Sequence, residues 1–322
     1  MRRRDGLAGL GAFAIGPLAP AQQPAPRRIG LLITGARPAQ GESLAVNNIV
    51  AALRDAGLEA GPRLRIEVRY GGGSEATLAV AAAELVALPV DVIVASFTPA
   101  AVAARRATDS IPIVMHSVAD PLSSGLVTSL SRPGGNVTGH GGFGAELALK
   151  NLELLREWWP GARQVAVLSQ AGDPWSPLLL AEVERTAQRL HLQPRVQQVS
   201  DPAQYDAVFA AWSRDKVDAL LVQPSTSFAH ALPLVRRHRL PSCSLVRDWA
   251  ERGGLFAYTV VAGEIPAIVA GYVRRILGGQ SPASLPVHQG SRFGLYLNAA
   301  AARGLGLEIP STIRLRAVEV IE

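Results

Sequence analysis

Apolar residues in this chain fall into short unbroken runs, separated by longer segments with helical spacing. Residues 28–33, RIGLLI, read as a buried strand ending at Thr34-Gly35. Leu44 to Ala56 reads as a helix stopped by Gly57, and Leu64 to Tyr70 as a strand ending in three glycines. Ser74 is placed to cap the next helix, where Leu78, Ala82 and Leu85 share one face at i, i+4 and i+7. Residues 90–95, VDVIVA, predict another strand, and Ile113-Val114-Met115 a fourth. Between those two, Thr98 is expected as the N-cap of a helix with Pro99 in its first turn. Continuous apolar strands alternating with helices imply a parallel sheet covered on both faces.

The alternation restarts after residue 140. Ala145 to Trp158 is expected to be helical, 164–169 a strand, and Leu178 to Leu190 a helix. Strands follow near 194–199, 218–222, 241–245 and 255–259, with helices near 203–214, 228–239 and 263–277. The tail adds a strand at 292–297 and a short helix at 298–304. Two α/β units joined at the glycine-rich stretch SRPGGNVTGHGGFG, 131–144, suggest two lobes. The expected division is residues 27–138 for lobe 1, 139–262 for lobe 2, and 263–322 for a C-terminal segment crossing back over both.

Ahead of the first strand, Arg2 to Arg4 form a charged start, Gly6 to Leu18 an apolar run, and Ala19-Pro20-Ala21 an A-x-A site. This is the layout of a cleaved export signal over residues 1–21, with Gln22 as the new N-terminus. The apolar run is too short to remain as a membrane span, which needs about 20 residues. The mature chain is therefore expected to be exported, with no transmembrane segment of its own. Composition agrees: of 322 residues, 48% are apolar and 18% charged, so a sizeable core is available. The net charge is +6, carried almost wholly by arginine, and no dense basic block makes a case for nucleic acid. Cys243 is the single cysteine, so no intramolecular disulfide forms, and its apolar surroundings suit a packed thiol.

Catalytic chemistry is hard to find. The six histidines lack the close spacing and carboxylate partners of a metal motif. Neither a G-x-S-x-G elbow nor a phosphate loop with its lysine occurs. Gly139 to Gly144 fits G-x-G-x-x-G, but the next strand ends at Ser169-Gln170 without the acidic residue that a ribose needs. That segment is expected to be a crossover and hinge. No cofactor, metal or catalytic set is expected.

Five stretches carry a family resemblance. TPAAVAARRATDSIPIVMHSVADPLSSGLVTSLSRPGGNVTG, 98–139, resembles the signature region of ABC transporter substrate-binding proteins of the tryptophan/tyrosine type. The likeness continues in 53–70, 150–168, 238–258 and 285–313, nearly the whole mature chain. It implies a type I periplasmic binding-protein fold: two doubly wound parallel-sheet lobes joined by a hinge. It also implies a small-molecule solute bound in the cleft and an inner-membrane ABC permease as partner. Two departures fall where the solute should lie. Ser169 to Trp175 stands where many relatives have asparagine-proline, and Ala257-Tyr258-Thr259 where many have serine-tyrosine-glycine. They point away from tryptophan or tyrosine as the solute. Asp120-Pro121 is kept.

Ligands of such sheets bind beyond the carboxyl ends of strands, at helix N-termini. The candidate ligand-binding residues are Thr34, Ser96, Thr98 and Asp120 in the first lobe, and Asp173, Trp175, Asp248 and Tyr258 in the second. Thr98 and Ser96 offer hydroxyls to a carboxylate, Trp175 and Tyr258 walls, and Asp173 or Asp248 a partner for an ammonium. The other readings are an exported α/β enzyme, such as a hydrolase, or a sensor that signals to a membrane receptor.

Overall fold

The computed structural model describes residues 26–261 and 263–322. The expected export signal, residues 1–21, lies outside them.

The first sheet is five parallel strands in the order β2-β1-β3-β4-β5. These are β1 Arg27–Ile33, β2 Leu64–Tyr70, β3 Val92–Ser96, β4 Ile113–Val118 and β5 Val137–Gly141. Side chains alternate across such a sheet, so each strand supplies two cores. Ile29, Leu31, Val92, Val94 and Val114 face helices α1 (Leu44–Asp55) and α9 (Glu264–Leu277). Leu32, Ile93, Ala95, Ile113 and Met115 face α2 (Glu75–Ala87) and α3 (Phe97–Ala107). Each fully buried Leu, Ile, Val or Met side chain among these stabilises by roughly 1.5–3 kcal/mol relative to exposure. As expected, Ser74 caps α2, its hydroxyl accepting from Thr77 N–H at 3.2 Å.

The second sheet runs β12-β11-β10-β9-β8-β6-β7. Its strands are β6 Gln164–Gln170, β7 Gln193–Val199, β8 Ala219–Val222, β9 Ser242–Ser244, β10 Phe256–Val260, β11 Phe293–Asn298 and β12 Ala317–Ile321. Helices α4 (Gly144–Trp158) and α5 (Ser176–Leu190) cover one face, and α6 (Tyr205–Arg214) and α7 (Phe228–Arg237) the other. Cys243 is buried in this core, where burial pushes its thiol well above the usual range. Among the described residues no helix is long and apolar enough to cross a membrane.

One pairing departs from the parallel pattern: β11 lies antiparallel to β10. The chain leaves β10 at its carboxyl end, builds α9 into the first lobe, and re-enters at the same end of the sheet. Val261 N–H donates to Arg292 C=O at 2.9 Å at that gateway. A strand entering beside the end of its neighbour has to run the other way. The chain thus passes between the lobes near 142–143, after Val261 and near 289–292. The first and third passages are tied together: Gly141 N–H donates to His288 C=O at 3.1 Å, and His288 N–H to Gly139 C=O at 2.8 Å. The boundary drawn at residue 138 falls inside β5. Residues 264–288 pack with the first lobe and 293–321 with the second.

The start of α3 corrects another expectation. Phe97 takes a left-handed conformation, φ 65°, and already belongs to the helix. Ser96 therefore holds the N-cap position, without a side-chain cap bond, and Thr98 lies inside the first turn.

Candidate functional site

The carboxyl ends of both sheets face each other across a cleft, and residues from both lobes close around a central cavity. About 530 Å³ of space not filled by atoms, part of it open to solvent, lies there. The first lobe contributes Phe97 and Thr98 from the start of α3, and Ser117 to Ala119 from the end of β4. The second lobe contributes Asp173, Trp175, Gln223, Ser225 and Thr259. His140, in β5 beside the crossing, also lines it.

Thr98 is 2% exposed, and its Oγ1 accepts from Ala119 N–H at 3.3 Å, so its own O–H remains to donate. The first amides of a helix have no intrahelical acceptor, and the partial positive charge there favours an anion. The start of α3 is thus electrostatically suited to an anion.

Asp173 lines the same cavity from the second lobe. It is 4% exposed and its partners are all neutral. Oδ1 accepts from Trp175 N–H at 2.9 Å, and Oδ2 from the Gln223 amide at 2.7 Å and the Ser225 hydroxyl at 2.6 Å. Gln223 is itself fixed, its Oε1 accepting from Ser169 Oγ, Gln170 N–H and Ser176 Oγ. Burial pushes the Asp173 carboxyl above its ordinary range, and these three bonds pull it partly back. An ionised carboxylate held in this setting is electrostatically suited to a cation.

Trp175 is buried and forms a wall. Gly144 has no room for a larger residue: a Cβ there would sit 2.7 Å from the Trp175 ring and 2.9 Å from Ala119 Cβ. The glycine string itself is strand and crossover, as expected. A Cβ on Gly139 would strike the Met115 backbone, and Gly142 N–H is spent on Val118 C=O at 2.9 Å.

The remaining candidates lie elsewhere. Thr34 borders a second, outer cavity with Gly73, Ser74, Arg106 and Asp173. Its hydroxyl donates to Ser96 C=O at 2.6 Å, and Ser96 sits behind it, fully buried, with Oγ 3.5 Å from His116 Nδ1. Asp120 makes a turn, Oδ1 accepting from Leu122 and Ser123 N–H at 3.1 Å, and does not line either cavity. Asp248 lies in the short helix α8 (Arg247–Glu251), 3.5 Å from Arg252, also outside both linings. Tyr258 turns into the second lobe against Phe293, ring centroids 6.4 Å apart, while Thr259 and Val260 reach the cavity.

The family model of the ABC transporter substrate binding proteins matches residues 38–321. The chain belongs to this family. A curated relative, the tyrosine-binding protein of Clostridioides difficile (strain R20291), is 24% identical over 269 residues, 82% of this chain and 77% of the relative. A Streptococcus pneumonia domain solved in complex with L-Trp superposes with a TM-score of 0.78 at 23% identity, covering 92% of this chain and 100% of that one. A conserved domain protein of Vibrio cholerae gives 0.79 at 24%, again 92% and 100%. The shared fold is the two-lobed α/β type expected.

In this substrate-binding protein the sequence reading missed Ser117, His140, Gln223 and Ser225. The signal for three of them was present. Ser117, Gln223 and Ser225 are polar residues at or just beyond the carboxyl end of a buried strand, the same rule that found Thr98. His140 lay within a glycine string judged only as a nucleotide motif. A further residue, Gln170, joins the lobes: its Nε2 donates across the cleft to Gly73 C=O at 3.0 Å.

Proposed function

We propose that the protein is the extracytoplasmic solute-binding component of an ABC importer, closing on a small solute that carries a carboxylate and an ammonium. The observation that carries this reading is the pairing of opposite stations across one cavity. The start of α3, in the first lobe, offers amides and the Thr98 hydroxyl, and Asp173, in the second, is a buried carboxylate with only neutral partners. A solute bridging the two stations favours the closed lobes, and a permease that reopens them releases it. Closure is then a population shift drawn from differential binding, not a chemical step. Small amino acids and aromatic amino acids share this pair of charges. The relative named for tyrosine and the structure solved with L-Trp support that class.

An enzymatic reading requires a nucleophile and a base at the cavity. Ser227 does meet His230 at 2.8 Å, but neither residue lines the cavity, and His230 is exposed at the start of α7. Binding and transport fit the cleft better.

The test is a thermal-shift screen of purified mature protein against amino acids, aromatic acids, sugars and nucleosides. A specific ligand at 100 times its Kd stabilises by about 2.7 kcal/mol. Amino acids should give the largest shifts. A sugar or nucleoside as the one strong hit rejects the paired-charge reading. Mass spectrometry of protein recovered from the periplasm should find Gln22 at the N-terminus. Intact Met1 on protein recovered only from the cytoplasm rejects export.

A further inference from the structure

We infer that His140 is a specificity-determining residue, and that it selects a solute bearing a neutral hydroxyl in addition to its charged ends. The inference rests on the reading of the central cavity as the solute site, and His140 lies outside the two charged stations described above. His140 is 3% exposed, and neither Nδ1 nor Nε2 has a hydrogen-bonding partner in the protein. It lines the central cavity. Its backbone is pinned, because Gly139 C=O and Gly141 N–H on either side are both bonded to His288. The ring itself is buried and out of reach of bulk water.

The surroundings decide which form of the ring is present. His288 stacks against it, ring centroids 6.1 Å apart at 29°, and His116 is on the adjacent strand. Burial, reinforced by these two imidazoles, holds His140 down to about 3, so it is neutral at ordinary pH. A neutral imidazole has one donor and one acceptor nitrogen. A carboxylate would engage only the donor and pull the ring toward the charged form that its neighbours oppose. A hydroxyl both donates and accepts, and so pairs with whichever nitrogen faces it. The three imidazoles are not a metal cage. Two of them lie nearly face to face, and no group of histidine, cysteine and acidic side chains among the described residues is disposed to hold an ion.

The experiment is calorimetry on the purified mature protein at neutral pH, with two probe pairs that differ by one hydroxyl. One is L-tyrosine and L-phenylalanine, and the other 4-hydroxybenzoate and benzoate. In the wild type the hydroxylated member of at least one pair should bind at least about tenfold tighter, since a site built to bond a hydroxyl rejects the analogue without it. His140→Phe should erase that preference, so that the two members of the pair bind within about threefold of each other. Should His140→Phe fail to fold, His140→Asn keeps a donor and an acceptor and should retain part of the preference. The His140 ring nitrogens should shift in NMR spectra with the hydroxylated member and not with its partner. Equal affinities within both pairs, no binding by either hydroxylated probe, or a preference that survives His140→Phe overturns the inference. A hydroxyl preference seen with 4-hydroxybenzoate but no binding of either amino acid removes the paired-charge reading and leaves the role of His140 standing. Phenylalanine binding as tightly as tyrosine, with neither benzoate bound, does the reverse.

Discussion

Asp173→Asn separates the cost of a buried charge from its use. In the unliganded protein the carboxylate is surrounded by neutral donors, and burial raises its pKa despite them. The sign follows from proton counting. Between the ordinary carboxylate value and the raised folded value, the folded protein keeps a proton that the unfolded chain has released. Stability therefore falls as pH rises through that window, and the ionised group remains a cost at neutral pH. Asparagine removes this cost. It also loses one bond, because Gln223 is locked by its other contacts and still needs an oxygen opposite its amide at 2.7 Å. The new amide nitrogen must then face Trp175 N–H, donor against donor. A hydrogen bond to a charged group contributes about 1.5–3 kcal/mol, and the relieved charge offsets much of it. The expected net change in unliganded stability is within about 1 kcal/mol.

The liganded state behaves differently. An ammonium opposite Asp173 loses its counter-charge in a desolvated site, a change that costs about 2–5 kcal/mol. At 1.4 kcal/mol per tenfold, even the lower figure weakens binding roughly 30-fold. The assay is paired. Thermal unfolding without ligand should show little change, while calorimetry with an amino acid from the screen should show the loss. The des-amino analogue of the same ligand, carrying only the carboxylate, should bind both proteins alike or the variant slightly better. An amino-acid Kd within twofold of wild type would falsify the role given to Asp173. So would an equal loss for the des-amino analogue, because the defect would then be structural.

Thr98→Val removes the free hydroxyl at the carboxylate station and should weaken a carboxylate ligand by about 1 kcal/mol, read by calorimetry. Unchanged affinity with an intact fold places the anion elsewhere. Gly144→Ala drives a methyl between Trp175 and Ala119, 2.7 and 2.9 Å away. Overpacking of this kind costs about 1–3 kcal/mol, and here it should appear as lost ligand affinity, because the two neighbours belong to different lobes. Gln170→Ala cuts the bond to Gly73 across the cleft and should speed ligand release about fivefold in stopped-flow traces, the equivalent of one net hydrogen bond. An unaltered release rate means that this contact does not hold the lobes shut. Urea melts between pH 7 and 5 should show stability falling with pH. Burial holds His116 and His140 down to about 4 and about 3, so below the ordinary histidine value the unfolded chain takes up protons that the folded one refuses. The slope should approach about 1.4 kcal/mol per pH unit for each histidine, and a flat profile contradicts their neutral burial.

Local elements were legible where local chemistry sets them. Strand β2 has the bounds read from its alternation, and α2 has its serine cap and its buried Leu78, Ala82 and Leu85. The antiparallel return of β11 was not legible, because it follows from where the chain crosses between lobes. Strand β12 escaped notice for another reason: its residues are only half-buried at the sheet edge, so no continuous apolar run marks it. Thr98, Asp173 and Trp175, named by looking beyond strand ends, all line the central cavity. The same rule misplaced Tyr258 through an error in strand length. Strand β10 extends to Val260, two residues beyond Tyr258, so Tyr258 lies inside the strand and meets Phe293 while Thr259 and Val260, at its end, border the cavity.

Backbone strain supplies the last argument for the site, and no side-chain pattern announces it. Phe97, Ser117 and Phe143 all have left-handed φ, 65°, 61° and 66°. Such conformations in residues with a Cβ cost about 1–3 kcal/mol each and persist only where the surroundings impose them. Phe97 and Ser117 line the central cavity, and Phe143 lies between two lining glycines, its ring 5.3 Å from Phe293. At Phe97 the conformation starts α3 before Thr98, so that the hydroxyl lies in the first turn instead of capping the helix. At Ser117 it breaks the register of β4 against β5 between Met115 and Val118, and the end of β4 reaches the cavity. At Phe143 it turns the chain from the first lobe into α4. Three other described residues with a Cβ, His191, Lys216 and Arg239, are also left-handed, but each sits where a helix ends, a common place for that conformation. The three at the cavity have no such helix-end explanation. They are accounted for if the geometry of that cavity is what has been held in place.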